Sequence, residues 1–79
     1  MVYRRTHQVV KRLAARRSAI LAAARDAAAE GGMAAVQIAP VAVRASVAAG
    51  TVYRYFPSKA ELISELIAEV SRDELAAIR

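Results

Sequence analysis

Gly50, Thr51, Tyr53 and Arg54 fall within one short segment, and together they suit recognition of an anion better than they suit a core. On a helical period of about 3.6 residues, Ala48 and Val52 turn one way. Gly50, Tyr53 and Arg54 turn the other way, with Thr51 at the margin. A glycine permits close backbone approach. The hydroxyls of Thr51 and Tyr53 can donate to phosphate oxygens, and the Arg54 guanidinium can reach a guanine edge or a phosphate. Such a face fits a DNA groove. Catalytic chemistry has no comparable support. The chain has no cysteine and no glycine-rich phosphate loop, and its single histidine, His7, stands on a basic segment with no carboxylate at ligand spacing. Neither an enzyme nor a bound metal or cofactor is expected.

Helices must position that face, and the chain reads as a string of them with no strand. Thr6 can cap a first helix that nothing breaks until Gly31 and Gly32 supply a left-handed stop. Its apolar stripe is Leu13, Ile20, Ala24, Ala27 and Ala28. Its packed part is expected to begin near Arg16, which leaves residues 1–15 as a basic arm or helix extension. Met33-Ala34-Ala35-Val36 is a short connection. A second helix is expected from about Gln37 to Arg44, with Ile38, Val41, Ala42 and Ala45 on one face. Pro40 then falls in the first turn, where its missing N–H has no partner to lose. A turn around Ala45-Ser46-Val47 leads to a third helix at residues 48–55.

The fourth helix has the strongest start signal. Ser58-Lys59-Ala60-Glu61 is a capping box, with Phe56 and Pro57 placed to pack against Leu62. Leu62, Ile63, Leu66, Ile67 and Val70 form its apolar stripe. Glu61, Glu65, Glu69 and Asp73 form a row at intervals of four, where each like-charged pair costs about 0.2–0.5 kcal/mol. Asp73 and Glu74 oppose the helix dipole if the helix ends at Arg79. No Gly, Asn or Pro stops it there, and Ile63, Ile67 and Ile78 would be partly exposed in an isolated domain. The expectation is a helix that continues into a further domain.

Composition agrees with a single small helical domain. The chain has 79 residues, 57% of them apolar, but alanine dominates, so each buried position contributes little area and the core must be tight. No apolar run approaches the roughly 18 residues of a membrane span. The N-terminus lacks the apolar stretch of about 7–15 residues that a secretory signal requires. The absence of cysteine fits a reducing cytoplasm. The formal net charge of +5 is unevenly placed. Residues 1–59 carry ten Lys and Arg against Asp26 and Glu30, whereas residues 60–79 carry Arg72 and Arg79 against five carboxylates. A polyanion would meet the first three quarters of the chain and avoid the last.

The segment Val47-Ala48-Ala49-Gly50-Thr51-Val52-Tyr53-Arg54-Tyr55-Phe56-Pro57-Ser58-Lys59-Ala60-Glu61-Leu62 closely resembles the recognition helix and following turn of the TetR family of bacterial transcriptional repressors. Members read roughly Gly-Val-Ser-x-Gly-Thr-Leu-Tyr-x-Tyr/His-Phe-x-x-Lys-x-x-Leu there. Ile20-Leu21-Ala22-Ala23-Ala24 with Glu30-Gly31-Gly32, and Val41-Ala42 with Ala45, extend the resemblance over about residues 16–67. It implies an all-α fold: a three-helix bundle at residues 16–57, whose second and third helices form a helix-turn-helix, and a fourth helix at 58–79 leading to an effector and dimerisation domain. It also implies a DNA-facing set of Arg17, Gln37, Arg44, Ala48, Ala49, Gly50, Thr51, Tyr53, Arg54, Tyr55 and Lys59. The implied partners are a pseudo-palindromic double-stranded DNA operator and, in the full-length protein, a second copy and a small-molecule effector. No membrane partner is implied.

Four positions depart from the family pattern. Gln37 stands where members often have a capping Thr or Ser, and Ser46 where the turn usually has Gly. Ala48 and Ala49 replace a hydroxyl cap and a polar or basic residue. Recognition then falls more heavily on Gly50, Thr51, Tyr53, Arg54, Tyr55 and Lys59. Two other readings compete. A basic amphipathic module at a membrane surface or partner protein is suggested by Arg4, Arg5, Lys11, Arg12, Arg16 and Arg17, but that arm has no Trp or Phe. A purely structural helical module leaves the polar face of residues 50–54 without a purpose.

Overall fold

The computed structural model describes residues 2–78, with side chains described for residues 7–72. The roles expected of the side chains of Arg4, Arg5, Asp73, Glu74, Ile78 and Arg79 lie outside them. The alanine-rich chain, with few helix breakers, folds into α1 (Val2–Gly31), a 3₁₀ turn (Met33–Ala35), α2 (Ile38–Arg44), α3 (Ala49–Tyr55) and α4 (Lys59–Ile78). No strand occurs among the described residues. The all-α bundle with a helix-turn-helix and a long fourth helix is therefore the observed architecture.

Two glycines end α1 for different reasons. Gly32 takes φ 73°, a conformation that a side chain disfavours, and its N–H donates to the Ala28 carbonyl at 2.7 Å. Gly31 is needed for space, because a Cβ there would stand 2.8 Å from the Ala35 Cβ. The 3₁₀ turn thus folds back on the end of α1 and carries Val36 fully into the core. The connection hides one of the larger core side chains, which its sequence did not signal.

The start of α1 differs from the expectation. Helix runs from Val2 straight through Thr6, so Thr6 is not its cap. Leu13 belongs to no packed stripe and is 49% exposed. Residues 7–16 are all exposed, with no buried residue among them. Burial begins with half-buried Arg17 and with Ile20.

The core is one cluster. Ile20, Leu21, Ala23 and Ala24 of α1 meet Val36, Val41 and Ala42, then Val52 of α3, Phe56, and Leu62 and Leu66 of α4. Each large aliphatic or aromatic side chain buried there contributes about 1.5–3 kcal/mol. The alanines contribute less but let the helices approach closely. Phe56 packs with Leu62 as expected, whereas Pro57 is exposed. The extended backbone at Phe56, φ −134° and ψ 93°, turns its ring inward and leaves the next residue outside. On α4, Ile63 is half-buried while Ile67 and Val70 are 53% and 39% exposed. With Met33, Ile67 and Val70 line a shallow groove of about 290 Å³ between α1 and α4.

The carboxylate row on α4 is not left to repel itself. Glu65 accepts a hydrogen bond from Arg17 at 2.8 Å, and Glu69 pairs with Arg25. Both bridges tie α4 to α1. The Arg17–Glu65 bridge is substantially solvated and contributes about 0–1 kcal/mol. Among the described residues, no helix is long and apolar enough to cross a membrane.

Candidate nucleic-acid interface

The helix-turn-helix is set by backbone geometry at its turn. Ala45 ends α2. Val47 N–H then donates to Ala42 O at 3.0 Å and Ser46 N–H to Val43 O at 3.1 Å. This pair of bonds is a Schellman motif, which places Ser46 at the left-handed position. Ser46 does adopt φ 59° and is the one non-glycine with positive φ among the described residues. Val47, the apolar residue that follows the turn, packs against the core cluster. A serine therefore bears the strain that a glycine would avoid.

Both short helices start without a side-chain cap. Gln37 precedes α2 in extended backbone, and its Nε2 donates back to Ala34 O at 3.0 Å rather than to α2. Ala48 precedes α3 with φ −75° and ψ 154°. Ala48 was expected to turn inward with Val52, but it is exposed. The helical angle does not apply to it, because as the cap residue it stands outside the helix. At the far side, Ser58 Oγ accepts from the Glu61 N–H at 3.2 Å, which fixes the start of α4.

Within α3 only Val52 is buried, and it anchors the helix. Ala49, Gly50, Tyr53 and Arg54 are exposed, with Tyr53 at 48%. Thr51 is half-buried at the margin. Tyr55 is half-buried and packs against the core. Lys59, in the first turn of α4, is half-buried. Gly50 is the informative position. No atom lies within 4 Å of the place its Cβ would occupy, so neither packing nor backbone conformation in this domain requires a glycine. A helical glycine without an internal purpose leaves room for an external surface to approach.

The basic residues fall into two classes. Arg17 bonds Glu65 at 2.8 Å and stands over the Phe56 ring, 5.1 Å from its centroid. Arg44 grips Glu30 with two hydrogen bonds, at 2.8 and 2.5 Å. That grip holds the Glu30 carboxyl below its ordinary value, chiefly through the hydrogen bond from Arg44, and raises Arg44 in turn. Arg54 and Lys59 have no carboxylate partner among the described residues. Of the residues expected to face DNA, the structure brings Ala49, Gly50, Tyr53 and Arg54 onto one exposed surface of α3, with Thr51 beside them and Ala48 at its start. It directs Gln37 to the 3₁₀ turn and engages Arg17 and Arg44 internally. Glu30, Glu65 and Glu69 hold the basic residues in place, and no sequence spacing signals such pairings between separate helices.

A family model described as bacterial regulatory proteins, tetR family, matches residues 20–66. The chain is 55% identical over 58 residues to the HTH-type transcriptional repressor KstR of Mycobacterium tuberculosis, a match covering 72% of this chain and 26% of that protein. It is 53% identical over 53 residues to the repressor of the same name from Rhodococcus jostii, covering 67% and 25%. Against that of Mycolicibacterium smegmatis it is 56% identical over 48 residues, covering 61% and 24%. The chain thus spans about a quarter of the length of the curated relatives it matches. No solved structure gives a significant match.

Proposed function

The chain belongs to the TetR family of bacterial regulatory proteins, and from that premise we propose that it is the DNA-reading part of a transcriptional repressor. The observation that carries the reading is the outer face of α3, where Gly50, Tyr53 and Arg54 are exposed while Val52 is the one buried residue and Tyr55 packs beside it against the core. α3 enters the major groove. Gly50 lets its backbone close on the DNA, Arg54 reaches a base edge or a phosphate, and Thr51 and Tyr53 donate to phosphate oxygens. Tyr55, with its hydroxyl at the end of α3, and Lys59, at the start of α4, flank that contact. Ala48 and Ala49 touch the backbone without donating a side-chain hydrogen bond. Gln37, Arg17 and Arg44 form an outer ring, the two arginines by exchanging a carboxylate for a phosphate.

In the full-length protein two copies place their α3 helices in successive major grooves of a pseudo-palindromic operator, about 34–36 Å apart, and so occlude transcription. A small-molecule effector acting on the remainder of that protein changes the separation and releases the DNA. The protein works in the cytoplasm, where the operator is. Competition binding tests the reading. A complex with an operator fragment selected from random duplex should survive an excess of mixed-sequence duplex, because specific binding exceeds non-specific binding by about 10³-fold or more. Equal displacement by any duplex would overturn it.

A further inference from the structure

We propose that the N-terminal half of α1 is a second DNA-binding element, a helix that leaves the bundle beside the α3–α4 junction and engages backbone phosphates beyond the reach of α3 through Lys11, Arg12 and Arg16. The inference rests on the DNA-binding reading of α3 and adds to it a contact that carries no base information.

Charge pairing points there first. Arg17, Arg25 and Arg44 each hold a carboxylate of another helix or helix end. Lys11, Arg12, Arg16, Arg54 and Lys59 hold none among the described residues. Arg72 is the other such cation, and it stands in the acidic part of α4. No Asp or Glu precedes Asp26 in the chain, so the start of α1 has no nearby carboxylate of its own. Outside the acidic part of α4, the unpaired cations among the described residues are thus divided between the first half of α1 and the α3–α4 junction.

Geometry joins the two. The Arg17 guanidinium stands 5.1 Å from the centre of the Phe56 ring, and Phe56 lies between Arg54 and Lys59 in the chain. α1 therefore departs from the bundle at the junction that carries those two cations. It continues as unbroken helix, with residues 7–16 exposed. At about 1.5 Å per residue, Lys11 stands roughly 9 Å further along the axis than Arg17. Arg12 and Arg16 share one helical face, four residues apart, and Lys11 stands about 100° from Arg12 around the axis. A rigid helix holding these charges extends the basic surface outward instead of repeating it.

The apolar side chains on the same segment, Val9, Val10 and Leu13, are exposed as well. They include no Trp or Phe of the kind that seats a helix in a lipid interface. Continuity with Arg54 and Lys59 favours DNA over a membrane.

Replacing Lys11, Arg12 and Arg16 together by Gln in the full chain keeps strong helix formers at all three positions. Helicity by circular dichroism should be unchanged. Binding to mixed-sequence duplex DNA, followed by fluorescence anisotropy over a range of salt concentrations, should lose about two to three units of log–log salt slope. A parent slope retained by the variant would overturn the proposal while leaving the role of α3 intact. Loss of binding to phosphatidylserine vesicles by the variant, with DNA binding unchanged, would also overturn it and make the segment a membrane contact. Failure of the parent chain to bind any duplex would overturn both this proposal and the reading on which it rests.

Discussion

Arg54 and Tyr53 test the assignment of the outer face most simply, because neither supports the core. Replacing either by Ala in the full-length protein should weaken operator binding by about 1–3 kcal/mol with helicity intact, as measured by anisotropy titration. Gly50 gives a sharper test, since fold and function pull in opposite directions there. The space around its Cβ position is empty, so Gly50→Ala should stabilise the free domain by about 0.4–1 kcal/mol in urea unfolding. The same methyl would stand between α3 and the groove floor and should weaken DNA binding. A variant that is both more stable and an equally good binder would show that nothing approaches α3 at that point. The glycine could be flagged from sequence alone; that the protein itself has no need of it could not.

At the scale of elements, the α2–α3 turn and the α1–α2 clasp carry the predictions. Ser46 occupies the left-handed position of the Schellman motif, a conformation that costs a non-glycine residue about 1–2 kcal/mol. Ser46→Gly should relieve it and, after the glycine's extra chain entropy, raise stability by about 0.5–1 kcal/mol. An unchanged urea midpoint would mean that the serine is unstrained. Glu30 ties the end of α1 to Arg44, and its carboxyl is held below the ordinary value by that hydrogen bond. A carboxyl depressed in the folded state contributes stability that is present above its unfolded pKa and is lost as pH falls through its folded pKa. The gap in Tm between the parent and Glu30→Gln should therefore be steady at neutral pH and close in acid. A gap that persists in acid would remove the ion pair as its cause. Element identities were legible in the sequence because Pro40, the Gly31-Gly32 pair and the Ser58 cap are strong local signals. The burial of Val36 was not, because it depends on the 3₁₀ turn folding back against α1. The exposure of Leu13 was equally hidden, since periodicity marks an apolar face but not whether anything lies opposite it.

For the whole molecule, the basic-to-acidic division along the chain resolves into a structural one. Carboxylates of α4 pair with Arg17 and Arg25 of α1, while Arg54 and Lys59 at the α3–α4 junction and Lys11, Arg12 and Arg16 of α1 have no carboxylate partner among the described residues. The sequence revealed the imbalance, but the pairings join residues as far apart as Arg17 and Glu65, and no local pattern encodes them. Recognition of duplex DNA by the outer face of α3 is the central claim, and affinity selection from a pool of random duplexes by the full-length protein tests it most directly. The parent should enrich a two-fold symmetric motif whose half-sites are centred about 10–10.5 base pairs, or a multiple of that, apart. The Tyr53→Ala, Arg54→Ala double variant should lose that enrichment while remaining folded. Enrichment of the same motif by the double variant would contradict the claim.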